Sequence, residues 1–377
     1  MMRILIGGDV CPMGRIESEF VGGNAERIFH DLLDEIAGAD LSIVNLECPL
    51  IAEETPIAKA GPVLGASAEC ARGFAAAKWK VLNLANNHSY DHGARGLQET
   101  ISIVKKAGLG LVGVGANIQE AQLPYVTRIK GTGVTIYSMA EHEFSIAGKH
   151  DPGANPLDLI NFVNAVQQYR GQGIFIVLIH GGKEYYPYPS PEMVRRCRFM
   201  IDMGADAVIC CHAHCPLPWE IHSGRPIIYG LGNLVFEALG QEPDAWYRGY
   251  LAKLTVEDGR IRFEPIPYVQ SQAQSGARQM NEDGRKSFFH EMERKSDQLK
   301  NDEFIEDQWT EFCREQRDTY MAMLFGYNRI MEKIKKPLLK TLYSREAFLR
   351  ALNLVQCESH RELLSGILRN ERGARNS

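Results

Sequence analysis

The feature that most constrains the fold of this chain is a polar stretch at residues 85–91, ANNHSYD, which follows an apolar run at 81–84. The apolar run predicts a buried strand, so the polar stretch lies at a strand's carboxyl end, where α/β folds place ligand sites. Asn87 offers a carbonyl oxygen to a divalent metal, His88 offers a proton-transferring imidazole, and Asp91 can fix the tautomer of His88. The alternative is a polar turn in which an asparagine caps the following helix.

Other strand ends carry the same kind of side chain. Five further polar residues follow apolar runs: Asp9, Glu47, His180, His212 and His214. Taken singly, each has a simpler explanation as a turn aspartate, a solvated glutamate, a core histidine or a pair of loop histidines in water. Together with Asn87 they predict one site, whose oxygen and imidazole ligands suit two divalent cations such as Mn²⁺, Fe²⁺ or Zn²⁺.

Further residues near these strand ends are candidates for contact with an anionic small-molecule or polymer substrate. They are Arg15, Asn45, Glu184 and Asn233. Arg15 could meet an anionic group, and a solvated surface arginine is the alternative. The run Glu-His-Glu at 141–143 has metal-compatible side chains and is expected at the rim of the pocket.

The order of these motifs resembles that of a known family. The matching segments are Gly8-Asp9, NLECP at 45–49, ANNH at 85–88 through DHG at 91–93, HGGKEY at 180–185, HAH at 212–214 and YGLGN at 229–233. They resemble the CapA family of poly-γ-glutamate capsule synthesis proteins, whose domain is similar to calcineurin-like metallophosphoesterases. The resemblance covers roughly residues 3–240 and implies an α/β fold, a four-layer αββα sandwich with a dinuclear site at the strand ends.

The resemblance also implies a role for each site residue. Asp9 and His214 would hold one metal, while Asn87, His180 and His212 would hold the other, with Glu47 between the two. His88 would be the acid or transition-state donor, oriented by Asp91. The chain departs from the wider phosphoesterase pattern in three places: Val10-Cys11 supplies no histidine after Asp9, Glu47 replaces an aspartate, and Cys211 replaces a glycine before His212.

Composition limits the remaining function classes. The formal net charge of −5 over 377 residues gives no electrostatic footprint for nucleic acid. No apolar run approaches the roughly 18–20 residues of a spanning helix, and the N-terminus lacks the features of a signal peptide, which predicts a cytoplasmic protein. Nine cysteines without regular spacing favour free thiols over a disulfide framework.

The composition changes after residue 269, where β-branched runs give way to polar residues and helical spacing. We therefore predict a capsule-synthesis-type domain at 1–269 and a helical appendage at 270–377, whose apolar residues pack on the domain or join two copies in a homo-oligomer. Two functions are open. One is a metal-dependent, phosphoesterase-like hydrolase in capsule or surface-polymer synthesis; the other is a non-catalytic accessory subunit of capsule assembly.

Overall fold

A computed structural model of the protein describes residues 1–324, apart from Ala60 and Leu239, together with Ala351 and Val355. The strands, numbered in chain order, are β1 (Met2–Cys11), β2 (Leu41–Leu46), β3 (Leu50–Ile51), β4 (Ala66–Ser67), β5 (Val81–Asn83), β6 (Gly110–Val112), β7 (Val114–Gly115), β8 (Tyr125–Ile129), β9 (Thr132–Ala140), β10 (Gly153–Ala154), β11 (Ile174–His180), β12 (Ala207–Cys211), β13 (Trp219–His222), β14 (Arg225–Ile228), β15 (Asn233–Phe236), β16 (Arg248–Glu257), β17 (Arg260–Gln270) and β18 (Ala277–Gln279). The α-helices are α1 (Glu17–Gly22), α2 (Ala25–Phe29), α3 (Leu33–Gly38), α4 (Ala71–Ala76), α5 (Gly93–Lys106), α6 (Ile118–Ala121), α7 (Leu159–Tyr169), α8 (Pro191–Met203), α9 (Glu282–Gln298) and α10 (Asp302–Leu324).

Two large sheets contain most of these strands. The first has the order β18-β17-β16-β1-β2-β5-β6, and β15 pairs with the end of β1; the second has the order β13-β14-β12-β11-β9-β8. Strands β1, β2, β5 and β6 are parallel, as are β9, β11, β12 and β14. Parallel strands buried on both faces require apolar runs, which is why these segments stand out in the sequence.

The two sheets pack face to face with helices outside them. Isoleucines of the first sheet, Ile4 and Ile43, share one core with Ile176 and Ile209 of the second. On the far side of the first sheet, a separate core contains the apolar residues of α1–α5. On the far side of the second sheet, the ring of Phe162 in α7 packs against Phe175, with centroids 6.4 Å apart. The expected four-layer αββα sandwich with C-terminal helices is confirmed.

The C-terminal segment begins later than its composition suggests. The chain divides into compact units at Met1–Trp309 and Thr310–Ser377, whereas the sequence predicted a division after residue 269. The reason is that β17 continues to Gln270, β18 pairs with it, and α9 buries Phe288 and Met292 in the core between the sheets. Of the helical appendage predicted at 270–377, residues 325–377 lie outside the described residues, apart from Ala351 and Val355.

Replacing Phe288 by alanine should lower the free energy of unfolding by about 3–5 kcal/mol, as expected for a fully buried phenylalanine. Phe288 is 1% exposed and its ring lies 5.6 Å from that of Tyr250. Urea unfolding of the full chain measures the effect, and Ser287→Ala on the exposed side of the same helix is the matched control, with an expected change within about 0.5 kcal/mol. Equal stability of the two variants would show that α9 adds nothing to the core.

Candidate functional site

The carboxyl ends of the central strands bring the polar residues of the first sheet into one row. Asp9 lies in register with Asn45 of β2 and with Asn233 of β15, and Asn45 lies in register with Asn83 of β5. All four are buried. Because the facing strand β11 ends at His180, its imidazole extends toward this row, and the Asn45 amide nitrogen lies 3.3 Å from its Nδ1.

Gly8 allows Asp9 to enter the site. The pairing of β1 with β2 shifts register between Gly7 and Asp9, and a Cβ at Gly8 would collide with the backbone carbonyl oxygen of Gly232. Only glycine permits so close a backbone approach. The Asp9 carboxylate then accepts hydrogen bonds from the Asn45 amide (2.8 Å) and from the backbone N–H of His212 (3.1 Å).

Three potential ligand atoms lie close to His180 Nε2 on one side of the site. His180 Nε2 lies 3.0 Å from Asn87 Oδ1, 3.1 Å from His212 Nδ1 and 3.5 Å from Glu47 Oε1. Ligands that bind a tetrahedral cation at about 2.0–2.2 Å lie about 3.3–3.6 Å from one another. The spacing of Glu47, Asn87, His180 and His212 is therefore close to that of a metal's ligand shell.

Hydrogen bonds alone, without a metal, would explain the short distances between the two imidazoles and the Asn87 amide. They do not explain why the Glu47 carboxylate is buried. This residue is fully buried, and neither carboxylate oxygen has a hydrogen-bond partner. A buried carboxylate without a partner costs several kcal/mol, so such groups are normally paired or bound to a cation. The donor set therefore fits a divalent cation.

His214 and Asp9 lie on the other side of Glu47. His214 Nε2 is 3.7 Å from Glu47 Oε1, and His214 Nδ1 is 3.8 Å from Asp9 Oδ2. Asn233 Oδ1 lies 2.9 Å from the same Nδ1, where it can accept the ring N–H and leave Nε2 facing Glu47. Asp9 is equally close to His180, whose Nδ1 lies 3.8 Å from Asp9 Oδ1. The structure thus brings all six predicted metal ligands together.

The turn that carries His212 and His214 is strained. Their φ angles are +94° and +55°, in the region that side-chain-bearing residues seldom adopt. The hydrogen bond from His212 N–H to Asp9 fixes this turn directly after β12. Strain of about 1–3 kcal/mol per residue persists only where the surroundings impose it, and such residues cluster at functional sites.

The surroundings shift the pKa values of His180 and His212 in the direction that metal binding needs, and those of Asp9 and His214 in the opposite direction. Burial lowers the pKa of His180 to about 4 and that of His212 well below the ordinary value, so both imidazoles are neutral at pH 7. Burial, together with the nearby Glu47 charge, raises the pKa of Asp9 to about 6. At His214 burial acts in the opposite direction, but Glu47 and Asp9 outweigh it and raise the pKa. Neutral histidines and ionised carboxylates are the ligand forms that cations require.

His88 stands beside the cluster and is bonded to a buried ion pair. Its Nδ1 lies 2.6 Å from Asp91 Oδ2, so the ring N–H can donate to the carboxylate while Nε2 stays available. Lys59 donates to the other oxygen of Asp91 at 2.6 Å, and both side chains are at most 2% exposed. The backbone N–H of Leu64 also donates to Asp91 Oδ2, at 2.7 Å. This arrangement fixes the tautomer and the orientation of His88.

The predicted substrate contacts fall into three groups. Glu184 lines the cavity, with its Oε1 4.0 Å from His212 Nε2. Asn45 and Asn233 are buried and hydrogen-bonded to two of the predicted metal ligands, Asp9 and His214. They therefore orient these two side chains instead of contacting a substrate. Arg15 is engaged elsewhere.

The Arg15 guanidinium forms an ion pair with Glu237 at 2.7 Å and donates to the backbone carbonyls of residues 271–273. It thereby ties the segment after β17 to the segment after β1. Among the described residues that line the cavity, Arg15 does not occur.

A cavity of about 260 Å³ opens over the cluster. Its described lining residues are Lys59, Gly61, Pro62, Leu64, Asn87, His88, Glu143, Glu184, Tyr185, His214, Phe236, Glu242 and Trp246. The sequence did not single out Lys59, Tyr185, Glu242 and Trp246 as site residues; three of them lie outside the quoted motifs, and Tyr185 is the last residue of the HGGKEY segment. Glu143, expected at the rim, lies 3.3 Å from the Asn87 amide nitrogen.

Comparison with known proteins identifies the family of the chain. Residues 3–238 match the family described as bacterial capsule synthesis protein PGA_cap. The chain belongs to this family. In the part of this family member that the structure describes, no helix has both the length and the apolar content needed to cross a bilayer.

Curated relatives of this capsule synthesis family member carry related names. It is 30% identical over 241 residues to a capsule biosynthesis protein CapA of Bacillus anthracis (61% of this chain, 58% of the relative). It is 32% identical over 196 residues to a PGA biosynthesis protein CapA of Bacillus subtilis (50% of each). A probable polyglutamine synthesis accessory protein of Mycobacterium tuberculosis is 28% identical over 240 residues (59% of this chain, 63% of the relative). The chain thus spans between half and two thirds of these relatives.

Matches among solved structures include a hypothetical protein from Thermus thermophilus. It has 15% sequence identity and a TM-score of 0.46, over 71% of this chain and 99% of that one. A 5'-nucleotidase from Candida albicans has 9% identity and a TM-score of 0.40, over 84% of this chain and 58% of that one.

Proposed function

We propose that this chain is a divalent-metal-dependent hydrolase that cleaves a phosphoester during the synthesis of a bacterial capsule or another surface polymer. The observation that carries the proposal is the buried Glu47 carboxylate, which has no hydrogen-bond partner and faces His180 and His214. The family, and the capsule biosynthesis names of its relatives, support the biological setting.

The residues divide into ligands and a proton donor. Glu47, Asn87, His180 and His212 would hold one cation, and Asp9 with His214 would hold a second that shares Glu47. Bound divalent cations supply an activated water and polarise a phosphoryl oxygen. Two such ions, of the Mn²⁺, Fe²⁺ or Zn²⁺ type, suit oxygen and imidazole ligands.

His88 supports a chemical step beyond binding. With Nδ1–H donating to Asp91, a His88 that is doubly protonated as an imidazolium can give its Nε2 proton to the leaving oxygen as the ester bond breaks, and returns to the neutral ring with Nδ1 still bonded to Asp91. Lys59 forms an ion pair with Asp91 inside the protein. A module that only binds a polymer has no need of an oriented proton donor, so this triad favours a hydrolase.

The second candidate is a non-catalytic accessory subunit that uses the same cavity to bind a polymer or a protein of the capsule machinery. The word accessory in the name of the Mycobacterium tuberculosis relative favours it. This candidate predicts metal binding without turnover.

Purified full-length protein should contain about one to two divalent ions per chain by elemental analysis. It should hydrolyse p-nitrophenyl phosphate or bis(p-nitrophenyl) phosphate, lose this activity after treatment with a chelator, and regain it with Mn²⁺ or Zn²⁺. Metal binding without hydrolysis of either ester would support the accessory subunit. A chain that takes up no divalent ion under any of these conditions would refute both metal assignments.

A further inference from the structure

Tyr185 presents an exposed aromatic face beside the metal-ligand cluster. It lines the same cavity as His88 and His214, and 41% of its surface is exposed. Its φ of +60° is unfavourable for tyrosine, and a hydrogen bond from its backbone N–H to the carbonyl oxygen of Ala213 holds this conformation at 2.9 Å. The Tyr185 ring therefore lies at the cavity through a strained backbone conformation.

The ring of Tyr185 is also fixed in orientation. It stacks on the buried Trp246, with centroids 6.2 Å apart and planes at 25°, and its hydroxyl donates to Glu242 at 2.9 Å. Trp246 is itself held by a hydrogen bond from its Nε1 to the carbonyl oxygen of Phe236. A partly exposed aromatic ring that is held in a fixed orientation is suited to stack on a ring of a ligand.

The charges around this ring indicate which kind of ligand it receives. The described residues that line the cavity include three rim carboxylates, Glu143, Glu184 and Glu242. Among the same residues the only lysine or arginine is Lys59, whose ammonium is already bonded to Asp91. Carboxylates accept hydrogen bonds from hydroxyl groups and repel an anionic chain such as a glutamate polymer.

We infer that the substrate carries a neutral, hydroxyl-bearing sugar ring next to the group that is hydrolysed, and that Tyr185 stacks on this ring. The position of the scissile phosphoester in this inference rests on the proposed function. The presence of a sugar ring rests on the Tyr185 ring and on the three carboxylates at the rim of the cavity. A glutamate polymer lacks a ring and carries the wrong charge for this rim.

Ligand-observed saturation-transfer NMR on the metal-loaded full chain carrying His88→Ala, which should slow hydrolysis of the probes, tests this through binding. The probes are glucose 1-phosphate, glycerol 3-phosphate, which has the phosphate but no ring, and a γ-linked glutamate decamer. The sugar phosphate should bind more tightly than glycerol 3-phosphate, with saturation on its ring protons. Tyr185→Ala and Tyr185→Leu should weaken the sugar phosphate by about 3- to 10-fold and leave glycerol 3-phosphate nearly unaffected. Phe199→Ala, an exposed aromatic on α8, is the matched control.

The outcomes separate this inference from the proposed function. Sugar-ring binding that depends on Tyr185, in a protein that hydrolyses no ester, supports the inference and overturns the hydrolase. Hydrolysis with equal binding of the two phosphates, or insensitivity of sugar binding to Tyr185, overturns the inference alone. Tighter binding of the glutamate decamer than of the sugar phosphate, reduced by Tyr185→Ala, would assign the cavity to the anionic polymer and overturn the inference.

Discussion

Replacing Glu47 by glutamine should abolish metal binding and hydrolysis together, while making the metal-free protein more stable. The variant keeps the shape of the side chain but removes the charge that the proposed cations share. Loss of a residue that only supports a metal ligand typically costs 10- to 100-fold in affinity, so loss of a shared ligand should cost more than about 100-fold. Elemental analysis and titration with Mn²⁺ or Zn²⁺ measure this.

The opposite effect on stability follows from the same carboxylate. Burial raises the pKa of Glu47, so the metal-free folded chain binds this proton more tightly than the unfolded chain, and its stability falls as pH rises above the ordinary range of a glutamate. Glutamine has no charge to bury, so the chelator-treated variant should gain about 1–3 kcal/mol at pH 7.

Thermal unfolding of chelator-treated and metal-loaded protein provides the comparison, with exposed Glu26→Gln in α2 as the control. A Glu47→Gln variant that retains its metal would show that Glu47 is not a ligand. A variant that loses metal but gains no stability would show that the buried charge is compensated in another way.

The site residues that could be predicted from the sequence share one physical signal. Asp9 and His180 lie at the carboxyl ends of β1 and β11, while Asn87 and His212 come after β5 and β12. These strands are buried on both faces, and such strands appear in the sequence as apolar runs. The parallel arrangement then brings their carboxyl ends together. Periodicity could not locate Lys59, because it lies in the irregular segment between β3 and β4. Its distance of 2.6 Å from Asp91 arises only from the fold.

The bounds of the helices and strands were harder to predict than the site residues. The apolar residues at 25–36 have the spacing of a single helix, but the chain forms α2 and α3 with a 3₁₀ turn between them, where His30 adopts a φ of +43°. The dipeptide Asp258-Gly259 between two β-rich runs is typical of a hairpin, and it joins β16 to β17 with both turn residues at positive φ. Turn chemistry is encoded locally, whereas a break within an amphipathic segment depends on tertiary packing.

Replacing His88 by alanine should lower kcat by about 10²- to 10⁴-fold while leaving metal content near that of the wild type. His88 lies next to the ligand Asn87 in sequence, but its Nδ1 is bonded to Asp91 and its Nε2 is the nitrogen left for the substrate. Steady-state kinetics with an ester, together with elemental analysis of the same preparation, measure both quantities. Loss of metal in His88→Ala would identify His88 as a ligand.

Asp91→Asn should lower both the stability of the protein and kcat, because the Asp91 carboxylate is bonded to the side chains of Lys59 and His88. The substitution leaves the buried ammonium of Lys59 without its counter-charge, which should cost about 3–5 kcal/mol of folding free energy. It also removes the carboxylate that fixes the tautomer of His88, so kcat should fall as well. Stability and kcat must therefore be measured separately.

The double variant Lys59→Met/Asp91→Asn separates the two roles of Asp91. Methionine fills the space of the lysine stem without a charge, so the double variant should recover most of the stability that Asp91→Asn loses. The tautomer of His88 remains unfixed in the double variant, so kcat should stay near that of Asp91→Asn. Recovery of wild-type kcat along with stability would show that Asp91 serves only to balance Lys59. In that case the oriented proton donor, and with it the strongest argument for catalysis over binding, would be lost.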